Sequence, residues 1–278
     1  MTALRPVSYT AQWMAAARAI ESERQDALFV DPLARDLAVP HGFELLEKYA
    51  NGGLQPFICI RTKFLDDGIM SLRPRDGIEQ VVLLAAGMDT RAFRLDWPDG
   101  VVVYEVDHDT LIEEKQRRLD LLGARPKVPR RTVAADLTTQ WLPDLVRAGF
   151  DPDRPTLWIV EAVTFFLTHE QAAELFTTLA DASAAGSRLE VDILGGAILR
   201  NPFSRSFLDA MVADGRPWRF GTDEPEEFLA RTGWKVRELK QPGEPGAGEQ
   251  RWPYQVQPKD RRSANRLWLI RAEVVGRR

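Results

Sequence analysis

The sequence predicts an α/β fold, a mostly parallel sheet with helices on both faces. Short, nearly continuous apolar runs recur along the chain, as expected of strands covered on both sides. Helix-like stretches alternate with them, which suits right-handed crossovers between parallel strands. No fixed-period repeat occurs, which sets aside solenoids and propellers.

The strand candidates are Gln80–Ala86, Val101–Val106, Arg131–Ala135, Thr156–Val160 and Ser187–Leu194. A first helix is expected over Thr10–Glu23. Thr168 and Gln171 have capping-box spacing, so a helix should start at His169 and stop before Gly186, near Ala184. Pro225 suits a first helical turn, and that helix should end before Gly233. The Gly/Pro-rich stretch Gln241–Gln250 reads as a hairpin connection before a last strand, Arg266–Val274.

At 278 residues the chain is worth about 1.9 domains of roughly 150 residues. The apolar share of 44% and the charged share of 28% mark an ordinary globular chain, not a disordered or fibrous one. Acidic residues outnumber basic ones, 41 to 37, so the positive excess used to bind phosphate backbones is missing and no nucleic-acid partner is expected. Cys59 is the one cysteine and no Cys/His cluster has zinc spacing, so no metal is expected and a reducing cytoplasmic setting fits. The densest apolar run, Val81–Met88, is too short to span a bilayer, and the first residues show no signal-peptide pattern. No membrane association is expected.

In an open parallel sheet the ligand lies at the carboxyl ends of the strands. The first strand runs into Gly87, the second into Asp107, the third into Asp136 and the fourth into Glu161. Gly87 permits a tight turn and close approach of a ligand. Asp107 follows it by the interval at which Rossmann-like sites place a ribose-binding acid. Glu161 stands in an apolar run and needs a cation or donor to be buried there. There is no G-x-G-x-x-G and no P-loop, which argues against dinucleotide and polyphosphate ligands. The four strand ends suit a nucleoside bearing positive charge, such as S-adenosylmethionine.

The runs Ile60–Asp67 (IRTKFLDD), Val82–Arg91 (VLLAAGMDTR), Tyr104–Asp107, Ala135–Leu137 and Val160–Val163 carry a resemblance. So do Ala19–Ala34 and Arg251–Tyr254. Together they resemble the leucine carboxyl methyltransferase family, and more narrowly its bacterial branch, which includes tetracenomycin-type polyketide O-methyltransferases. The resemblance implies a Rossmann-like class I methyltransferase with a seven-stranded sheet, acting with S-adenosyl-L-methionine. It implies that Arg61 pairs with the methionine carboxylate, a role for which Lys63 competes, and that Gly87 lets the backbone approach. Asp107 would hold the ribose, Asp136 and the Leu137 N–H the adenine edge, and Glu161 the amino group. The chain then reads as one domain: a helical cap over 1–75, a cofactor-binding core over 76–194, a substrate-side insertion over 195–232 and C-terminal strands over 233–278.

Methyl transfer needs in-line positioning and no covalent nucleophile. A carboxylate acceptor needs no base, whereas a hydroxyl does. His108 and His169 are the candidates for one, with His41 further off, and each reads more readily as a surface or capping residue than as a base. For a small-molecule acceptor the aromatics Phe203, Phe207, Trp218, Phe220 and Tyr254 could line a pocket, and Arg200, Arg205, Arg216 and Arg219 could receive an acidic one. The expected function is O-methylation of a small acid or phenol in bacterial natural-product biosynthesis. The alternatives are protein carboxyl methylation and a nicotinamide oxidoreductase, the latter short of its pyrophosphate loop.

Overall fold

The computed structural model describes residues 9–49, 53–261 and 264–276. The beginning of the expected cap, residues 1–8, lies outside them. Three helices precede the sheet, α1 (Tyr9–Ser22), α2 (Ala34–Lys48) and α3 (Leu54–Met70). The strands are β1 (Gln80–Leu84), β2 (Val102–Asp107), β3 (Arg130–Ala134), β4 (Thr156–Val160), β5 (Arg188–Leu194), β6 (Trp234–Lys240) and β7 (Leu267–Val274). Between them run α4 (Arg91–Arg94), α5 (Asp109–Leu121), α6 (Leu142–Arg147), α7 (His169–Asp181), α8 (Gly196–Arg200), α9 (Arg205–Ala213) and α10 (Pro225–Arg231).

The seven strands form one sheet in the order β3-β2-β1-β4-β5-β7-β6. The first five are parallel, and β7 enters antiparallel between β5 and β6. This is the Rossmann-like arrangement that the sequence predicts. β1 pairs with β2 on one side and β4 on the other, so the chain reverses its direction of winding there and opens a crevice at their carboxyl ends.

Every residue of β1 is buried, and the strand's twofold alternation feeds two cores. Val81 and Leu83 join Trp13, Phe57 and Ile58 of the N-terminal helices on one face. Val82 and Leu84 join Trp158, Phe176 and Trp234 on the other. Each such fully buried side chain contributes about 1.5–3 kcal/mol of transfer free energy. The cap is thus the cover of one sheet face, which needs apolar partners as much as the other does.

Predicted boundaries shift where backbone geometry intervenes. β1 stops at Leu84 instead of Ala86 because Ala85 turns into the left-handed region, φ 49°. The Thr168 capping box forms as expected, with the Gln171 N–H donating to Thr168 Oγ1 and the Thr168 N–H to Gln171 Oε1. Helix α7 ends at Asp181, short of Ala184. No helix among the described residues is long and apolar enough to cross a membrane.

Candidate active site

The loops after β1 and β4 are bent at non-glycine residues. Ala85 (φ 49°) and Ala162 (φ 56°) are both left-handed, a conformation that costs a non-glycine residue on the order of 1 kcal/mol and persists where surrounding contacts enforce it. Both line the same cavity. Gly87 shares the left-handed geometry, and a Cβ on it would lie 2.8 Å from the Cβ of Ala11 in α1. The glycine therefore lets the cap helix pass over the β1 turn. That packing demand is additional to the ligand approach expected from sequence.

Asp107, at the end of β2, ties this turn to its own strand. Its Oδ2 accepts the Gly87 N–H and its Oδ1 accepts the His108 N–H, both at 2.7 Å. Burial pushes its carboxyl above the ordinary value, and the two backbone donors oppose the rise. Asp136 organises the loop after β3, its Oδ1 accepting from the Thr138 N–H at 3.0 Å and the Thr138 hydroxyl at 2.6 Å.

A cavity of about 500 Å³ lies at these strand ends, and Arg61, Gly87, Asp107, Asp136, Leu137 and Glu161 all line it. Helix α1 closes it with Thr10, Ala11, Met14 and Arg18. His108 lines it as well. His169 does not: at the start of α7 it packs against Phe228 and Phe220, with centroids 5.3 Å and 5.6 Å away. Lys63 faces away from the role suggested for it and pairs with Asp67 at 2.5 Å on an exposed helix surface.

The five aromatic acceptor candidates, Phe220 included, also lie off this cavity. Phe203 is 94% exposed, and Tyr254 is largely exposed beside Trp252. Phe207 and Trp218 pack against each other, 4.8 Å between centroids, in a separate aromatic group. The reason is geometric: the short helical turns between 196 and 213 are too brief to hold one face, so one segment supplies both surface and interior residues.

Beneath the cavity lies an ionic cluster that sequence reading reached only through Arg61 and Glu161. Arg61 donates from Nε to Glu161 at 2.9 Å and from Nη1 to Asp192 at 2.8 Å. Arg91 donates from Nη1 to Glu161 at 2.7 Å and from Nε to Asp66 at 2.7 Å, and also meets Asp89. Arg94 pairs with Asp66, and Arg18 with Asp31 at 2.9 Å. Burial would raise the Glu161 carboxyl, but Arg91 and Arg61 overcome it and hold the group down at about 2. The four guanidiniums face five carboxylates, Asp31, Asp66, Asp89, Glu161 and Asp192, so the cluster is left with one negative charge. Two signals could have revealed these partners: Asp89 and Arg91 follow Gly87 directly, and Asp192 interrupts the apolar β5 run.

A parallel sheet with acids at successive strand ends around one cavity defines an S-adenosyl-L-methionine-dependent methyltransferase when joined to the chain's relatives. Residues 11–180 match the model of the leucine carboxyl methyltransferase family, and the chain belongs to that family. A provisionally named S-adenosyl-L-methionine-dependent methyltransferase of Mycolicibacterium smegmatis is 37% identical over 260 residues, covering 85% of this chain and 84% of the relative. Another, of Mycobacterium avium, is 39% identical over 272 residues, with 84% and 85% covered. Among solved structures, a DUF574 family protein of Streptomyces avermitilis superposes with a TM-score of 0.63 at 16% identity, over 94% of this chain and 96% of that one. A protein of Thermobifida fusca, provisionally named a methyltransferase, gives 0.61 at 19% identity over 94% of each chain. These two likenesses concern the fold alone.

Proposed function

We propose that the strand-end cavity binds S-adenosyl-L-methionine and that the chain O-methylates a small-molecule carboxylate or hydroxyl. The observation that carries the reading is that six residues from four strand ends and α3 border one cavity. Its volume of about 500 Å³ falls in the range of small-molecule sites, about 300–1,000 Å³. The single negative charge of the cluster suits a ligand whose sulfonium, ammonium and carboxylate sum to one positive charge.

The residues present fit the group. Asp107 would hold the ribose hydroxyls, and Asp136 with the Leu137 N–H the adenine edge. Glu161 would take the ammonium and Arg61 the carboxylate. Arg61 has a donor to spare, because its Nη2 meets only the Met14 thioether at 3.2 Å, a weak acceptor. When bound, the group supplies a methyl on a sulfonium, activated for displacement. The chain's part is to position and to exclude water: Met14 and Arg18 of α1 close the cavity from the cap side. A carboxylate acceptor would arrive ionised, and for a hydroxyl His108 is the histidine at hand in the cavity wall.

In this reading the cap, core, insertion and C-terminal strands work as one domain in bacterial natural-product metabolism, as the resemblance to the polyketide O-methyltransferases suggests. The buried thiol Cys59, which burial pushes up to about 12, suits a reducing cytoplasm. Calorimetry with S-adenosyl-L-methionine tests the assignment. Asp107→Ala and Asp136→Ala should each weaken binding at least about tenfold, or about 1.4 kcal/mol. Unchanged affinity in both variants overturns it.

A further inference from the structure

We propose that Glu190 is a positioning residue for the cofactor site: as the neutral acid it seats α3 on the sheet and so holds Arg61 at the cavity, and its ionisation unseats the helix. The proposal rests on the cofactor reading above and makes binding of the cofactor's carboxylate depend on a proton held elsewhere.

Glu190 and Asp192 stand two residues apart on β5, so both point to one face of the sheet. Asp192 meets Arg61 of α3 there. The Glu190 carboxyl lies against the backbone of Gly68, two turns further along the same helix, where a Cβ would overlap it. Between these points Arg271 of β7, in register with Glu190, donates from Nη2 to the Phe64 carbonyl at 2.6 Å. It also lies over the Phe64 ring, 4.0 Å from the centroid. Helix α3 is thus fastened to the sheet at Arg61, Phe64 and Gly68. It runs unbroken from Leu54 to Met70, so a shift at Gly68 is carried along it to Arg61.

Glu190 is poorly met as an anion. Its Oε2 is buried with no hydrogen-bond partner, and its Oε1 lies 3.4 Å from Arg271 Nε without completing a hydrogen bond. Arg271 is drawn away by Glu238 of β6, to which its Nη1 donates at 2.6 Å, and Lys240 meets that same acid at 2.8 Å. The other charges around Glu190 are engaged elsewhere: Arg91 of α4 by Asp66, Asp89 and Glu161, Asp192 by Arg61, Arg188 by Asp76 and Glu273 by Arg237. On α3 itself Lys63 pairs with Asp67. A carboxylate so placed is costly to bury, whereas the neutral acid is not. Burial accordingly outweighs Arg271 and Arg91 and pushes Glu190 up to about 8. Once ionised, it must gain donors, either water between strand and helix or the Arg271 nitrogen that now holds Phe64. Each of these loosens α3.

Calorimetry on the full chain tests this, with S-adenosylhomocysteine and with 5′-methylthioadenosine, which lacks the amino and carboxylate groups. Between about pH 7 and about pH 9.5, wild type should lose at least about fivefold more affinity for S-adenosylhomocysteine than Glu190→Gln, which cannot ionise. Comparing the two proteins cancels the titration of the probe's own ammonium. At about pH 7 they should agree within about twofold, because glutamine imitates the neutral acid. 5′-Methylthioadenosine offers Arg61 no carboxylate and should show no such difference. Hydrogen exchange on wild type alone gives a second reading. With the intrinsic pH dependence of exchange removed, protection of α3 should fall over the same range at least about fivefold more than that of α7. Parallel affinity curves in wild type and Glu190→Gln, an excess loss for 5′-methylthioadenosine as large as for S-adenosylhomocysteine, or protection of α3 that keeps step with α7 each overturns the proposal. Failure of S-adenosylhomocysteine to bind wild type at about pH 7 would instead overturn the cofactor reading, while the exchange comparison still judges the seat of α3.

Discussion

Arg61 and Arg216 are both buried arginines, and the two regions around them are built on opposite terms. Arg61 spends two donors on Glu161, just past β4, and Asp192 of β5, both within 2.9 Å, in a cluster where every guanidinium meets an acid. Arg216 shares a single acid with Lys48 and Tyr49 and keeps one nitrogen unpartnered. Buried ion pairs add little net stability, but removing one partner strands the other's charge. The cluster at the strand ends is therefore fully paired at the expense of tolerance, while the group around Arg216 keeps a donor unpartnered.

The sharpest way to break this comparison is to delete each guanidinium. Arg61→Ala strands the fully buried Asp192 and part of Glu161 and should cost about 3–5 kcal/mol in urea denaturation. Arg216→Met should cost less than about 1 kcal/mol, because an apolar chain of similar length fits among rings. Equal losses would show that the two regions are not organised differently.

The carboxylates sharpen the same contrast through pH. Glu161 is held down from 4.5 to about 2 by Arg91 and Arg61 against its burial, so its stabilisation is present above about pH 4.5 and lost as pH falls through about 2. Glu190 of β5 goes the other way: burial outweighs Arg271 and pushes it up to about 8. Its contribution is present below the ordinary carboxylate value and lost as pH rises from about 4.5 through about 8. Glu161→Gln should flatten the acid limb of a stability–pH curve and Glu190→Gln the limb above it, with differences from wild type of more than about 1 kcal/mol across each window. Limbs that keep their slopes in both variants would contradict the assignment.

A smaller effect tests the contact between α1 and the turn after β1. Gly87→Ala should cost about 1–2 kcal/mol, from the positive φ and from the contact with Ala11. Adding Ala11→Gly in the same chain should recover the steric part. Failure to recover any would mean that the backbone angle alone demands glycine.

How much of this was legible before folding differs between the two regions for a physical reason. In a parallel sheet the residue that ends a strand faces the crevice whatever the rest of the chain does, so Gly87, Asp107, Asp136 and Glu161 could be placed from pattern alone. Phe203, Phe207, Trp218 and Tyr254 sit on turns and on the nine-residue helix α9. Such short pieces carry no reliable face. Phe203 consequently points to solvent while Phe207, on the following helix, turns inward. His169 looked equally close to the strand ends, but the cap of α7 turns its ring onto Phe228.

By itself the sequence determined the strand–helix alternation, the turn residues and the acids at the strand ends, because apolar periodicity and backbone sterics act over a few residues. Tertiary structure alone decided which charge meets which. Arg61 reaches Glu161 and Asp192 across 100 and 131 residues of chain, and no local preference encodes a contact over such separations. The same holds for the charge balance of the ionic cluster: it exists only once α1, α3 and the sheet ends have packed together.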